Sequence, residues 1–168
     1  MIAYTESKQW YTKYRLQRLG LDYFIEAVYS PSDHSTLPID ESERTDITFN
    51  NTKFLHTPEG ELKPNPKILL DIIDNANVMP ADCVYIGDSE IKDIDMAREA
   101  GVTSVFAKYG NLHFDTRPED YNLLRSVTHW TDKDVAREKQ LKENAAHHKA
   151  DFEIDEFSQL IDLFDFRR

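Results

Sequence analysis

Apolar and polar positions alternate along this chain with two periods, and the two periods take turns. Leu69, Ile72, Ile73 and Ala76 recur at the i, i+3, i+4, i+7 spacing of a helix with one buried face. That helix starts at Asn65-Pro66, where the missing proline N–H costs nothing. Cys83-Val84-Tyr85-Ile86 is a short apolar run of strand type ending at Gly87-Asp88. Residues 91–100 predict the next helix, stopped by Gly101, and residues 102–107, rich in β-branched side chains, the next strand. Upstream, Ile2–Tyr4 predicts a very short strand and residues 6–19 a helix with Trp10, Tyr14 and Leu19 among its apolar positions and Gly20 as its stop. Residues 27–29 predict another strand, and near the other end Phe152-Glu153-Ile154 one more. Phe157, Leu160, Ile161 and Phe164 then predict a second amphipathic helix. Such alternation implies an α/β fold: a mainly parallel sheet with flanking helices, Rossmann-like in layout.

Two stretches break the pattern. Residues 31–61 hold prolines and many Ser, Thr and Asp without a helical period, which marks an insertion, either a surface loop or a small cap. Within them residues 47–49 and 53–55 flank Asn50-Asn51 in the manner of a hairpin. Residues 117–149 read as polar helix, with Glu138 and Lys142 at the favourable four-residue spacing.

A length of 168 residues suits one domain with its own core, of which 31–61 and 117–149 are then insertions. The formal net charge of −11 repels nucleic-acid phosphates and acidic lipid headgroups, so neither nucleic acid nor membrane is an expected partner. An anionic ligand would need local help from a lysine, a metal or backbone N–H groups. Cys83 stands alone, which excludes an intrachain disulfide and a cysteine-based zinc site. Residues 1–7 show no basic leader followed by an apolar stretch, so a cytoplasmic protein is expected.

Three places concentrate candidate chemistry. Gly87-Asp88-Ser89-Glu90-Ile91-Lys92-Asp93 follows a strand directly, and in doubly wound sheets ligands bind beyond the carboxyl ends of strands. Asp88 there is a hard oxygen donor suited to magnesium, and Asp93 on the next turn can hold Asp88 or a metal-bound water in place. The bland alternative is a helix cap at Asp88 and a solvated Asp93. Lys63-Pro64, between a long loop and a helix start, could reach phosphoryl oxygens, although most lysines are simply solvated. Thr5 follows the first strand with a hydroxyl and neighbouring N–H groups, an anion site or an ordinary cap. His147-His148 fits a solvated pair on a polar helix better than a metal site, because adjacent helical residues do not face each other. Trp10, Tyr11 and Tyr14 fit the core better than a ligand platform.

The order of these features is more telling than any one of them. Strand–Thr5, then Lys63-Pro64-Asn65-Pro66, then strand–Gly87-Asp88 with Asp93, then Met96-Ala97-Arg98-Glu99-Ala100-Gly101 resembles the second to fourth motifs of the haloacid-dehalogenase-like (HAD) hydrolases. Residues 18–24 and 150–155 look alike too. The resemblance covers most of 1–30, 62–110 and 150–164. It implies that Thr5 and the Glu6 backbone hold a transferring phosphoryl group and that Lys63 steadies its charge. It also implies that Asp88 binds Mg2+ with Asp93 in support, and that the substrate is a small phosphorylated metabolite processed through an aspartyl-phosphate.

Two departures qualify the likeness. Lys92 stands where many relatives have asparagine. The family's first motif, a strand ending in Asp-x-Asp-x-Thr or Val, is absent: Asp93-Ile94-Asp95 runs into Met96-Ala97, and 162–165 has the wrong spacing. In this family that strand carries the nucleophile and lies between the Thr5 and Asp88 strands. The expectation is therefore a fragment of a longer enzyme, its sheet completed by an N-terminal segment or a partner strand. A catalytically inactive phosphate-binding or regulatory remnant and a dehalogenase-type hydrolase remain as alternatives. A receiver-type phosphoacceptor domain does not fit, since Lys63 precedes Asp88 and Thr5-Glu6 is no acidic pair.

Overall fold

The computed structural model describes residues 1–33, 49, 51–110 and 132–166, arranged as two compact units, Met1–Lys63 and Pro64–Arg168. Both are α/β, and each is built on a three-stranded sheet that is parallel throughout.

The first unit runs β1 (Ile2–Tyr4), α1 (Gln9–Leu19), β2 (Ala27–Ser30) and β3 (Lys53–His56), in spatial order β1-β2-β3. Ala3, Val28 and Phe54 stand in register on neighbouring strands, and with Phe49, Ile25 and Leu16 of α1 they form the core of the unit. The helix buries Thr12 and Leu16 rather than its aromatics. Thr12 enters the core without an unpaired hydroxyl, because Oγ1 donates to the Ser7 and Lys8 carbonyls. Trp10 and Tyr11 are half-buried and Tyr14 is exposed. Trp10 packs on its helical neighbours instead, stacked on Tyr14 at 5.6 Å and edge-on to Tyr11 at 5.3 Å, so the expected core role of this trio does not hold.

A further expectation is corrected at the start of α1. The helix begins at Gln9, not residue 6, because the Thr5 hydroxyl accepts the Ser7 N–H at 3.1 Å and holds a local turn that competes with helix. Residues 53–56 do form a strand, but β3 pairs in parallel with β2. Most of the other expected hairpin arm, 47–49, and Asn50 of its turn lie outside the described residues. The segment 31–61 thus contributes a strand to the sheet. Residues 34–48 and 50 lie outside the described residues.

The second unit contains α2 (Pro66–Asn75), β4 (Val84–Gly87), a wide turn (Glu90–Ile94) leading into α3 (Asp95–Glu99), β5 (Thr103–Ala107), α4 (Asp132–Asn144), β6 (Phe152–Ile154) and α5 (Leu160–Leu163). Its sheet order is β4-β5-β6. Asn65 caps α2, its side-chain oxygen accepting the Lys67 and Ile68 N–H groups, and Pro66 occupies the first turn. The inward face of α2 is Ile68, Leu69, Ile72 and Ile73, and the helix packs on α3. Val105, Ala107, Ile154 and Leu160 form a second cluster with Val84, Ile86 and Phe164. Ile94, Met96 and Ala97 are fully buried.

The polar segment 117–149 is helical over 132–144, and 117–131 lies outside the described residues. His147 and His148 are past the end of α4, not on a helix, and His147 holds a positive φ of 53°. Both donate backbone N–H groups to Asp95, at 3.2 and 2.6 Å, which ties this stretch to α3. The last helix is a single turn that buries Leu160 while Ile161 is 76% exposed, so its expected two-sided pattern is not realised.

The strands that lead to Thr5 and to Asp88, β1 and β4, are each an edge of their own sheet. The central strands β2 and β5 are almost wholly buried, whereas β1 and β4 are half-buried. No helix among the described residues is long and apolar enough to cross a membrane.

Candidate active-site residues

In the first unit the chain leaves β1 at Tyr4, and Thr5 extends the ladder by donating its N–H to the Tyr29 carbonyl at 3.0 Å. The next residue, Glu6, accepts the backbone N–H of Lys63 on its carboxylate at 2.8 Å. Lys63 Nζ lies 4.8 Å from the centre of the Tyr4 ring, within cation–π range. Thr5, Glu6 and Lys63 are therefore brought together although 57 residues separate Glu6 from Lys63 in the chain. The link through the Glu6 side chain was not foreseen, and no periodicity or spacing encodes it. The start of α1 is met by a carboxylate, since Asp33 Oδ1 accepts the Trp10 N–H at 2.9 Å. An acid in that position suits the positive end of the helix.

In the second unit β4 ends at Gly87, and the turn that follows is wound wider than an α-helix: the Ile94 N–H reaches back to the Ser89 carbonyl at 3.1 Å. Wide turns of this type are frequent at functional sites. Asp93, 5% exposed, is carried on it underneath Gly87. Its Oδ2 accepts the Ser89 N–H at 3.1 Å, its Oδ1 accepts the Tyr85 hydroxyl at 3.0 Å, and Ser89 Oγ accepts the Lys92 N–H at 3.3 Å. A Cβ on Gly87 would fall 2.6 Å from Asp93 Oδ2, so only glycine admits this approach. Gly110 plays the same part for Asp88: a Cβ there would lie 2.7 Å from the Asp88 Cβ and 3.1 Å from its Oδ2. Each acid is thus seated against a glycine. Tyr109, next to Gly110, has its phenol pushed above the ordinary tyrosine value by burial and by the Asp88 charge.

As a metal-binding set these residues offer one hard-oxygen ligand, Asp88. Asp93 already spends a bond from each oxygen on ordering the turn, which suits a supporting role. Magnesium ordinarily takes one or two carboxylates and completes its shell with phosphate and water, so Asp88 fits as one of them. No group of three or more His, Cys, Asp or Glu side chains converges on a metal position among the described residues.

A second acid network braces β6. Asp151 accepts the Ser104 N–H at 2.9 Å, the Ser104 hydroxyl at 3.0 Å and the Arg98 guanidinium, and the Asp151 N–H returns a bond to Ser104 Oγ at 3.1 Å. Burial works to raise this carboxyl, but the bonds from Ser104 and Arg98 outweigh it and hold it below the usual aspartate range.

Comparison with known proteins agrees with the segment that holds Asp88 and Asp93. Residues 62–132 match the family model described as HAD-hydrolase-like. A phosphoglycolate phosphatase of Xylella fastidiosa (strain Temecula1) is 43% identical over 59 residues, 35% of this chain and 25% of that protein. An N-acetylmuramic acid 6-phosphate phosphatase of Pseudomonas aeruginosa is 29% identical over 103 residues, 61% of this chain and 33% of that protein. A glyceraldehyde 3-phosphate phosphatase of Methanopyrus kandleri is 38% identical over 61 residues, 36% of this chain and 26% of that protein. The chain spans only a quarter to a third of the length of these relatives. Residues 62–132, which carry the strand-end glycine and acids of β4, are thus similar to the HAD-like hydrolases.

Proposed function

We propose that this chain supplies the phosphate- and metal-holding parts of a HAD-type phosphatase that hydrolyses a small phosphorylated metabolite. The observation that carries the reading is the seating of Asp88 and Asp93 at the carboxyl end of β4, each acid fixed against a glycine. Three relatives named as phosphatases, each with a different small phosphorylated substrate in its name, support it.

The roles follow the chemistry of each group. The Thr5 hydroxyl and the Glu6 backbone N–H donate to phosphoryl oxygens. The Lys63 ammonium neutralises charge that builds on them, and the Glu6 carboxylate steadies the Lys63 backbone. Asp88 is a ligand for Mg2+, and Asp93 orders the turn around it. A bound Mg2+ would supply charge neutralisation on the phosphoryl group. The nucleophile is an aspartate carried on a strand outside this sequence. Its carboxylate oxygen bonds to phosphorus as the ester P–O bond breaks and the leaving oxygen takes a proton from solvent to depart as the alcohol; water then cleaves the aspartyl-phosphate, releasing phosphate and restoring the carboxylate. Among the described residues β1 and β4 are each the edge of their own sheet, and an added parallel strand can make backbone hydrogen bonds at such an edge.

The test uses a polypeptide that joins this chain to an Asp-x-Asp-x-Thr strand. It should hydrolyse phosphoglycolate or para-nitrophenyl phosphate only with Mg2+, and Asp88→Asn should lower turnover at least a hundredfold, while the 168-residue chain alone gives no turnover. Near-normal turnover in Asp88→Asn, or robust turnover by the chain alone, would overturn these assignments. Phosphate binding without turnover in the joined polypeptide would favour the inactive remnant.

A further inference from the structure

The short turn that follows β5, Lys108–Gly110, lies next to Asp88 and is fixed at both of its ends. At one end Gly110 abuts Asp88 so closely that a Cβ would come within 2.7 Å of the acid's own Cβ. At the other end Lys108 Nζ reaches Asp155 at 3.2 Å and Glu153 at 3.6 Å, so its charge is drawn toward β6. Between them Tyr109 is 53% exposed and near enough to Asp88 to feel its charge. The register places this turn where a ligand would be found: Gly87 pairs with Phe106, so the chain beyond β4 and the chain beyond β5 emerge side by side at the carboxyl edge of the sheet. A large, half-exposed aromatic on a braced turn loses little freedom when something binds it, and a phenol can donate to an anionic oxygen.

We propose that Tyr109 is a ligand-contacting residue that donates its phenolic hydrogen bond to an oxygen of a phosphorylated or carboxylated small molecule held at Asp88. Lys108 and Gly110 act as positioning residues that set where that phenol stands. The inference rests on the reading of Asp88 as a metal ligand, and the experiment separates the two. Isotope-labelled 168-residue chain is titrated first with Mn2+, whose paramagnetism broadens nearby amide signals, and then with phosphoglycolate at fixed Mg2+.

Mn2+ should broaden the Asp88 and Gly110 signals in both the native chain and Tyr109→Phe. Phosphoglycolate should bind Tyr109→Phe about five- to tenfold more weakly, the loss expected for one hydrogen bond. The amide spectrum around Asp88 and Gly110 should stay unchanged in the unliganded variant, which excludes a merely structural effect. Lys108→Met should weaken phosphoglycolate binding by a smaller factor, without changing the Mn2+ response. Equal affinity of Tyr109→Phe and the native chain, with Mn2+ broadening intact, would overturn the role of Tyr109 alone. Absence of Mn2+ broadening at Asp88 would overturn the metal reading and this inference with it.

Discussion

The two units hold their candidate residues in different ways. In the second, Asp93 has a donor on each carboxylate oxygen, Asp88 is walled by Gly110, Asp95 receives backbone N–H groups from the segment that leads into β6, and Asp151 receives the Ser104 N–H of β5. In the first, a long-range hydrogen bond from the Lys63 N–H to Glu6 and a contact of its ammonium with the Tyr4 ring hold Lys63, and the Thr5 hydroxyl serves a local turn. Among the described residues, that unit also buries Trp10 Nε1, Ser30 Oγ and Thr57 Oγ1 without a hydrogen-bond partner, and no such atom occurs in the second. An unsatisfied buried polar group costs on the order of 1–3 kcal/mol. Asp88 and Asp93 are thus pre-organised by their surroundings, while Thr5 and Lys63 sit in a unit whose described residues leave buried polar groups unmatched.

The contrast can be broken most forcefully at Gly87. Gly87→Ala should destabilise the second unit by about 3 kcal/mol or more, because the new Cβ must displace the Asp93 side chain and with it the bonds to Ser89 and Tyr85. Denaturant unfolding that changes by less than about 1 kcal/mol would mean that the wide turn is looser than its hydrogen bonds indicate.

A smaller effect is expected at Asp151. Its carboxyl is held below the ordinary aspartate value in the folded chain, so its stabilisation is complete above the unfolded value of about 3.9 and is lost as pH falls through the lowered one. Asp151→Asn should cost about 1–2 kcal/mol at neutral pH and flatten the acid limb of the stability profile. An acid limb identical to that of the native chain would contradict the network around Ser104 and Arg98.

The smallest effect, and the one of opposite sign, belongs to Ser30. Ser30→Ala removes a fully buried hydroxyl that has no partner among the described residues, so thermal unfolding should show no loss and a gain of up to about 1 kcal/mol. A clear loss would show that the hydroxyl is satisfied, and the difference between the units would shrink accordingly.

The same contrast explains what could be read from the chain. The helix at 66–75 and the strands at 84–87 and 103–107 announce themselves, because a buried helical face and buried parallel strands leave periodic or continuous apolar runs. Asp88 and Asp93 were legible for a local reason: Gly-Asp directly after a strand fixes where the acid stands. Lys63 and Thr5 could be named but not tied together, since the Glu6–Lys63 bond joins distant segments. Gly110 and Tyr109 were not singled out, because their closeness to Asp88 depends on β5 lying beside β4, and that adjacency is set by strand pairing. The strand at 53–56 was legible in its apolar run, but its parallel pairing with β2 is set by distant residues. The aromatics of α1 misled because Trp10 found its partners one helical turn away on the same helix.

The central claim is that Asp88 brings a metal to a bound phosphate. Calorimetric titration of the 168-residue chain with inorganic phosphate, with and without Mg2+, measures that coupling directly. The account predicts that Mg2+ tightens phosphate binding to the native chain and that Asp88→Asn abolishes the tightening while leaving the metal-free affinity unchanged or slightly raised. Equal Mg2+ enhancement in the variant, or none in the native chain, would contradict it.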